Sequence, residues 1–203
     1  MPSPFSSTPP TIDAVAADLE GPGWHVGDAL LPHPLLAAVR RALIFERGDG
    51  TLRPALTGRG AGPIDVGLRG DRTRWLEPGH EAGPTEELLA ALDALRIRLN
   101  RRLFLGMETL EAHVACYPPG AGYVRHRDSF RDDDARVLSV VIYLNPDWPE
   151  DAGGALRLHL PNGPRDVRPA LGTVALFLSA EIEHEVLPAA QSRWSIAGWF
   201  RRR

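Results

Sequence analysis

The chain has 203 residues and a formal net charge of −3, and all 23 of its basic residues are arginine. Without lysine, Schiff-base catalysis and a phosphate-loop lysine are excluded, and any strong cationic anchor for a substrate carboxylate must be arginine. The single cysteine, Cys116, excludes an internal disulfide or a cysteine-rich zinc site, and the mild negative charge gives no reason to expect nucleic acid as a partner.

Residues 1–10, "MPSPFSSTPP", have neither the basic region nor the apolar core of a secretory signal and read as a mobile amino terminus. No apolar run reaches bilayer length, so the expectation is a cytoplasmic monomer away from membranes. Thr11 can cap a helix running to about Leu19, before the breaker "GPG" at 21–23. "GWHVGDALL" then reads as a short strand. Pro34 opens a second helix, with Leu36, Val39, Ala42 and Leu43 on one face and Gly48 at its end. Residues 48–70 hold seven glycines and little periodicity and read as a long connection. "RTRWLEP" is a predicted strand. Pro84 opens the longest helix, to about Leu105, with Leu88, Leu92, Leu95, Leu99 and Leu103 as its apolar stripe.

From Leu110 the texture changes. "LEAHVACY", "GYVRH", "RVLSVVIYLN", "GALRLHL", "TVALFLS", "HEVLP" and "RWSIAGWF" are short β-rich runs separated by turn residues. The pattern predicts an α+β protein: a helical support region over 11–109, then a β-sandwich or barrel over 110–203, with the helices backing one sheet.

His126 and Asp128, at i and i+2 after a β-type run, point to one side of a strand. The pair alone fits a solvated loop as well as half of a metal site. His184, opening the late run "HEVLP", is the best third member, because two histidines and a carboxylate form the facial triad of non-haem Fe(II) oxygenases. Arg193 lies nine residues further on, across "PAAQS". Paired as a hairpin, the His184 and Arg193 strands would set a guanidinium beside the metal, able to grip a carboxylate through two parallel hydrogen bonds. Tyr143, on the strand face shared by Ser139 and Val141, can offer that carboxylate a phenol. Cys116 alternates away from Tyr117 and reads as core, His113 and His159 as satisfied strand residues, and "DDD" at 132–134 as a solvated loop tip.

In this order, "ACYPPGAGYVRHRD", "VIYLNPDW", "GGALRL", "HEVLP" and "RWSIAGWF" resemble the Fe(II)/2-oxoglutarate-dependent prolyl hydroxylases, closest to the hypoxia-inducible-factor type and its bacterial relatives. The match extends upstream through "GLRGDRTRWLEPG". The resemblance implies a double-stranded β-helix (jelly-roll) core. It puts His126, Asp128 and His184 on iron and Arg193 on the distal carboxylate of 2-oxoglutarate. Tyr143, Tyr117 and Trp199 line the cosubstrate pocket, while Arg136, Arg69 and Tyr123 fall on the substrate side. The 65–75 segment matches a loop that closes over the peptide, and His113 stands where that group carries an apolar residue. The implied reaction uses Fe(II), 2-oxoglutarate and O₂, with ascorbate as a further cofactor, and hydroxylates proline in a protein or peptide such as a translation factor. A free amino acid or another small molecule as substrate, and a non-catalytic jelly-roll binding module, are the alternatives.

Overall fold

In a computed structural model, described for residues 10–46, 49–55, 67–129 and 135–203, the Thr11 hydroxyl accepts a hydrogen bond from the Ala14 amide at 3.2 Å and caps helix α1 (Ile12–Glu20). Pro34 sits in the first turn of α2 (His33–Arg40), where its missing amide costs nothing, and the chain continues as a wider π-helical segment, Arg41–Glu46. Pro84 opens α3 (Pro84–Leu103), which buries Leu88, Leu92, Leu95 and Leu99 along one face. What the sequence suggests for 1–9, 56–66 and 132–134 lies outside the described residues.

Among the described residues, eleven strands build two sheets. In chain order they are β1 (Trp24–Gly27), β2 (Arg53–Pro54), β3 (Arg72–Leu76), β4 (Thr109–Tyr117), β5 (Tyr123–His126) and β6 (Arg136–Tyr143). Then follow β7 (Leu156–Leu160), β8 (Gly163–Val167), β9 (Val174–Leu178), β10 (Glu183–Val186) and β11 (Arg193–Arg201). The major sheet runs β1-β9-β6-β11-β4-β3-β2 and the minor sheet β5-β10-β7-β8, with every pairing between them antiparallel. This is the jelly-roll core of an α+β protein.

Alternation along the major sheet explains its double burial. In β6, Leu138, Val140 and Ile142 join Cys116, Leu176, Ile196 and Phe200 in a core shared with the three helices. Val141 and Tyr143 face the other way, into a second core with Tyr117, Phe177, Leu156, Leu158 and Val186. A strand covered on both faces reads as a continuous apolar run, as "VLSVVIY" does. The site lies between the sheets, on this inner side.

Two expectations need correction. The strands of His184 and Arg193 do not pair as a hairpin: β10 pairs with β5 and β7 in the minor sheet, β11 with β4 and β6 in the major one. The chain crosses between the sheets in the intervening segment, where Ala189 bridges to Gly153 and accepts the Gly120 amide. Secondly, "GPRDV" forms β8 and pairs along its length with β7, although its proline and charges carry no strand signal. The described part of the 65–75 segment is hydrogen-bonded to the β5 edge. The Gly70 amide donates to the Gly122 carbonyl and the Val124 amide to the Leu68 carbonyl, both at 2.9 Å. Gly70 permits this approach, since a Cβ there would lie 2.8 Å from the Ala121 Cβ.

Candidate metal and cosubstrate site

His126 on β5 and His184 on β10 are directly opposed across the strand pair, their rings 4.3 Å apart. Asp128 follows two residues after His126 and turns its carboxylate between them: Oδ1 lies 3.6 Å from Nε2 of His126, and Oδ2 lies 3.6 Å from Nε2 of His184. One ligand atom from each residue falls within 4.8 Å of the others. Nδ1 of His126 faces the Val124 carbonyl at 2.8 Å and Nδ1 of His184 the Ile182 carbonyl at 3.3 Å. A ring that donates from Nδ1 to a carbonyl keeps its Nε2 lone pair for the third partner.

Burial alone would raise the Asp128 pKa, but His184, His126 and the Ser139 hydroxyl together hold it well below the usual carboxylate range. Burial pushes His184 down, toward the neutral form that ligates metal. Ser139 donates to Asp128 Oδ2 at 2.7 Å and shares a 2.8 Å hydrogen bond with Ser179, so the carboxylate is oriented from the major sheet. Two imidazoles and one carboxylate, held on and just beyond the paired strands β5 and β10, form a donor set suited to a divalent iron.

Arg193, at the start of β11, is 1% exposed, and its cation has no carboxylate partner among the described residues. Its Nε donates to the Gly154 carbonyl at 2.9 Å and its Nη1 to Ser195 Oγ at 3.3 Å. The guanidinium carbon lies 5.1 Å from the Tyr117 ring centre and 5.0 Å from that of Tyr143. The Tyr143 hydroxyl is buried and without a hydrogen-bond partner among the described residues. Burial pushes this phenol up to about 12 against the pull of Arg193, so it stays protonated and able to donate. A buried cation and an unused phenol beside it are costly unless an anion completes them, and a carboxylate is the group that does so.

His126, Asp128, His184, Arg193 and Tyr117 line one cavity of about 620 Å³, which extends across the inner faces of β11, β4 and β3. Trp199 is buried in its wall and stacks under Arg136, whose Nε donates to Glu111 at 2.7 Å. Tyr123 stacks on His126 with ring centres 3.7 Å apart, and Arg69 covers its other side at 4.6 Å. Arg69 is itself held by Asp71 through hydrogen bonds of 2.8 and 2.6 Å.

Sequence reasoning passed over several of these residues. Asp71 is 3% exposed and fixes Arg69; an Arg-x-Asp on a strand edge was its only signal, hidden in a glycine-rich stretch. Ser139, Ser195 and the Gly154 carbonyl orient charged groups but carry no pattern of their own. His113 also differs from expectation: it is buried in the cavity wall, and its Nδ1 has no partner. His159 is satisfied, facing Glu185 Oε1 at 3.0 Å.

Residues 112–201 match the 2OG-Fe(II) oxygenase superfamily. Over 164 residues the chain is 36% identical to the prolyl hydroxylase EGLN3 of Mus musculus, an alignment that covers 75% of this chain and 67% of that protein. Its fold is similar to a Pseudomonas putida prolyl-4-hydroxylase, with a TM-score of 0.85 and 44% identity over 95% of this chain and all of that one. It is also similar to a Trichoplax adhaerens prolyl hydroxylase in complex with a hypoxia-inducible-factor oxygen degradation domain peptide. There the TM-score is 0.81 and the identity 28%, over 94% of this chain and 88% of that one.

Proposed function

This chain belongs to the 2OG-Fe(II) oxygenase superfamily, among its prolyl hydroxylases, and from that premise we propose that it hydroxylates a prolyl residue of a protein substrate. 2-Oxoglutarate is consumed with O₂ and leaves as succinate and CO₂. The observation that carries the reading is the pairing, in one cavity, of a His-Asp-His cluster with a buried arginine that lacks a counter-anion among the described residues.

His126 and His184 would hold Fe(II) through Nε2 and Asp128 through its carboxylate, while Arg193 and Tyr143 would take the distal carboxylate of 2-oxoglutarate. With O₂ and 2-oxoglutarate, bound Fe(II) supplies the oxidising power that replaces a carbon–hydrogen bond by a carbon–hydroxyl bond. The protein orients and shields the reactants. Val141, Leu156, Val186 and Trp199 keep the cavity wall apolar, which strengthens every charge interaction within it. Arg136, Arg69, Tyr123 and Trp75 line its more exposed part and would receive the peptide.

The test is succinate release and product mass with proline-containing peptides, beginning with translation-factor segments as the target the resemblance suggests. Gain of one oxygen on proline, dependent on 2-oxoglutarate, is the expected result. Turnover stimulated only by free amino acids would replace this reading with a small-molecule hydroxylase.

A further inference from the structure

Three polar atoms of residues lining the cavity, Nδ1 of His113, Nε1 of Trp199 and Nε of Arg201, are buried without a hydrogen-bond partner among the described residues. His113 projects from β4 in register with Trp75 on β3 and Ala197 on β11. Its ring meets Trp75 edge-on at 5.1 Å and Trp199 at 5.3 Å. The imidazole is 6% exposed, and the indole of Trp75 is 51% exposed. Leaving a buried nitrogen unsatisfied costs about 1–3 kcal/mol, which an apolar side chain of similar size would avoid. The hydrogen-bonding capacity of this ring is not used by the protein among the described residues.

The position of the ring says which ligand can use it. His113 lies four residues before Tyr117 on the same face of β4, about 13 Å along the strand from the Arg193–Tyr117 contact. A five-carbon diacid held between Arg193 and the His-Asp-His cluster does not reach that far. The neighbourhood of His113 belongs to the second occupant of the cavity. Arg69, Arg74, Arg136 and Arg201 also line the cavity, but each is ion-paired to Asp71, Glu81 or Glu111, so little free charge of either sign meets a side chain there and an uncharged one suits it best. Burial pushes the His113 pKa down to about 4, so the ring is neutral at physiological pH and offers an anionic side chain no charge. A neutral imidazole has one donor and one acceptor, and rotation about its broad, two-fold χ2 exchanges the ring edge that faces the ligand.

We propose that His113, seated between Trp75 and Trp199, is a specificity-determining residue that hydrogen-bonds an uncharged polar side chain, a carboxamide or hydroxyl, of the substrate segment flanking the reacting proline. The proposal rests on the prolyl hydroxylase reading and names one feature of the sequence that the enzyme selects. The exposed face of Trp75 gives the same residue an apolar surface to lie on, so a side chain with a short stem and a polar end fits best.

The probe is a peptide library with a fixed central proline and each flanking position varied in turn, read by mass spectrometry as oxygen gained on proline. With the wild-type protein, one flanking position prefers Asn, Gln, Ser or Thr over Leu or Met by about tenfold or more. In His113→Met that preference shrinks to within about threefold, while the preferences at other positions and the affinity for 2-oxoglutarate hold. His113→Gln, which keeps a donor and an acceptor, retains the preference and guards against a folding artefact. A His113→Met profile that superimposes on the wild type overturns the proposal alone. A wild-type protein that oxidises no peptide but is stimulated by a free amino acid overturns the prolyl reading, and this proposal with it.

Discussion

His184 and Arg193 line the same cavity from opposite sheets, the first on β10 of the minor sheet and the second on β11 of the major one. The candidate metal ligands are therefore carried by one layer of the sandwich and the cation for the cosubstrate by the other. Each half can be perturbed separately.

Asp128→Ala removes the single anionic member of the metal cluster. Altering a residue that merely supports a ligand weakens metal binding by about 10- to 100-fold, so deleting a ligand should exceed about 100-fold. Anaerobic Fe(II) titration followed by calorimetry measures the change. Unchanged affinity would reject the site.

Arg193→Met should raise the 2-oxoglutarate requirement by roughly 100-fold while leaving Fe(II) affinity nearly intact, because truncating one side of a buried charge pair costs about 3 kcal/mol. The ligand-free variant should not unfold at a lower temperature, since it loses a buried cation that has no carboxylate partner. The rise in unfolding temperature on adding 2-oxoglutarate should vanish. Thermal scans with and without 2-oxoglutarate read both effects.

The neutral burial of His113 makes stability fall with acid. Its pKa is 6.5 when unfolded and about 4 when folded, so the unfolded chain takes up the proton first. Stability is lost as pH drops below the unfolded value, and the loss is complete near the folded one. At pH 5 this term amounts to about 2 kcal/mol. His113→Met should flatten the stability profile between pH 7 and 5 by about that amount, measured by urea unfolding at each pH. An unchanged profile would mean that the ring is not buried neutral.

Gly154→Ala strikes the support of the arginine. Gly154 has φ +73°, and an added Cβ would lie 2.9 Å from Ala189 Cβ and 3.1 Å from the Trp148 ring. The substitution should cost about 2 kcal/mol in denaturant unfolding and raise the 2-oxoglutarate requirement, since the Gly154 carbonyl holds Arg193 Nε.

Much of the chemistry was legible in the sequence because charged residues within β-rich runs have few reasons to be there. His126, Asp128, His184 and Arg193 all sit within or beside such runs, and all four line one cavity. Nine residues between His184 and Arg193 also suit a hairpin, and period-two alternation is blind to which sheet a strand joins; only the Ala189 contacts reveal the crossing. Strand β8 escaped notice because pairing with β7, not residue propensity, makes it a strand, and four of its five residues are exposed. The Arg69–Asp71–Tyr123 contacts were hidden because adjacency across the β5 edge is not written in either segment. His113 was misjudged because sequence does not say whether a buried nitrogen finds a partner.

The placement of metal ligands and anchor on separate layers has a mechanical consequence. A diacid held by the His-Asp-His cluster on one sheet and by Arg193 on the other would act as a strut across the sandwich and resist its splaying apart. Succinate, one carbon shorter and lacking the keto group, would span that gap less well, so turnover itself would slacken the brace that holds its product.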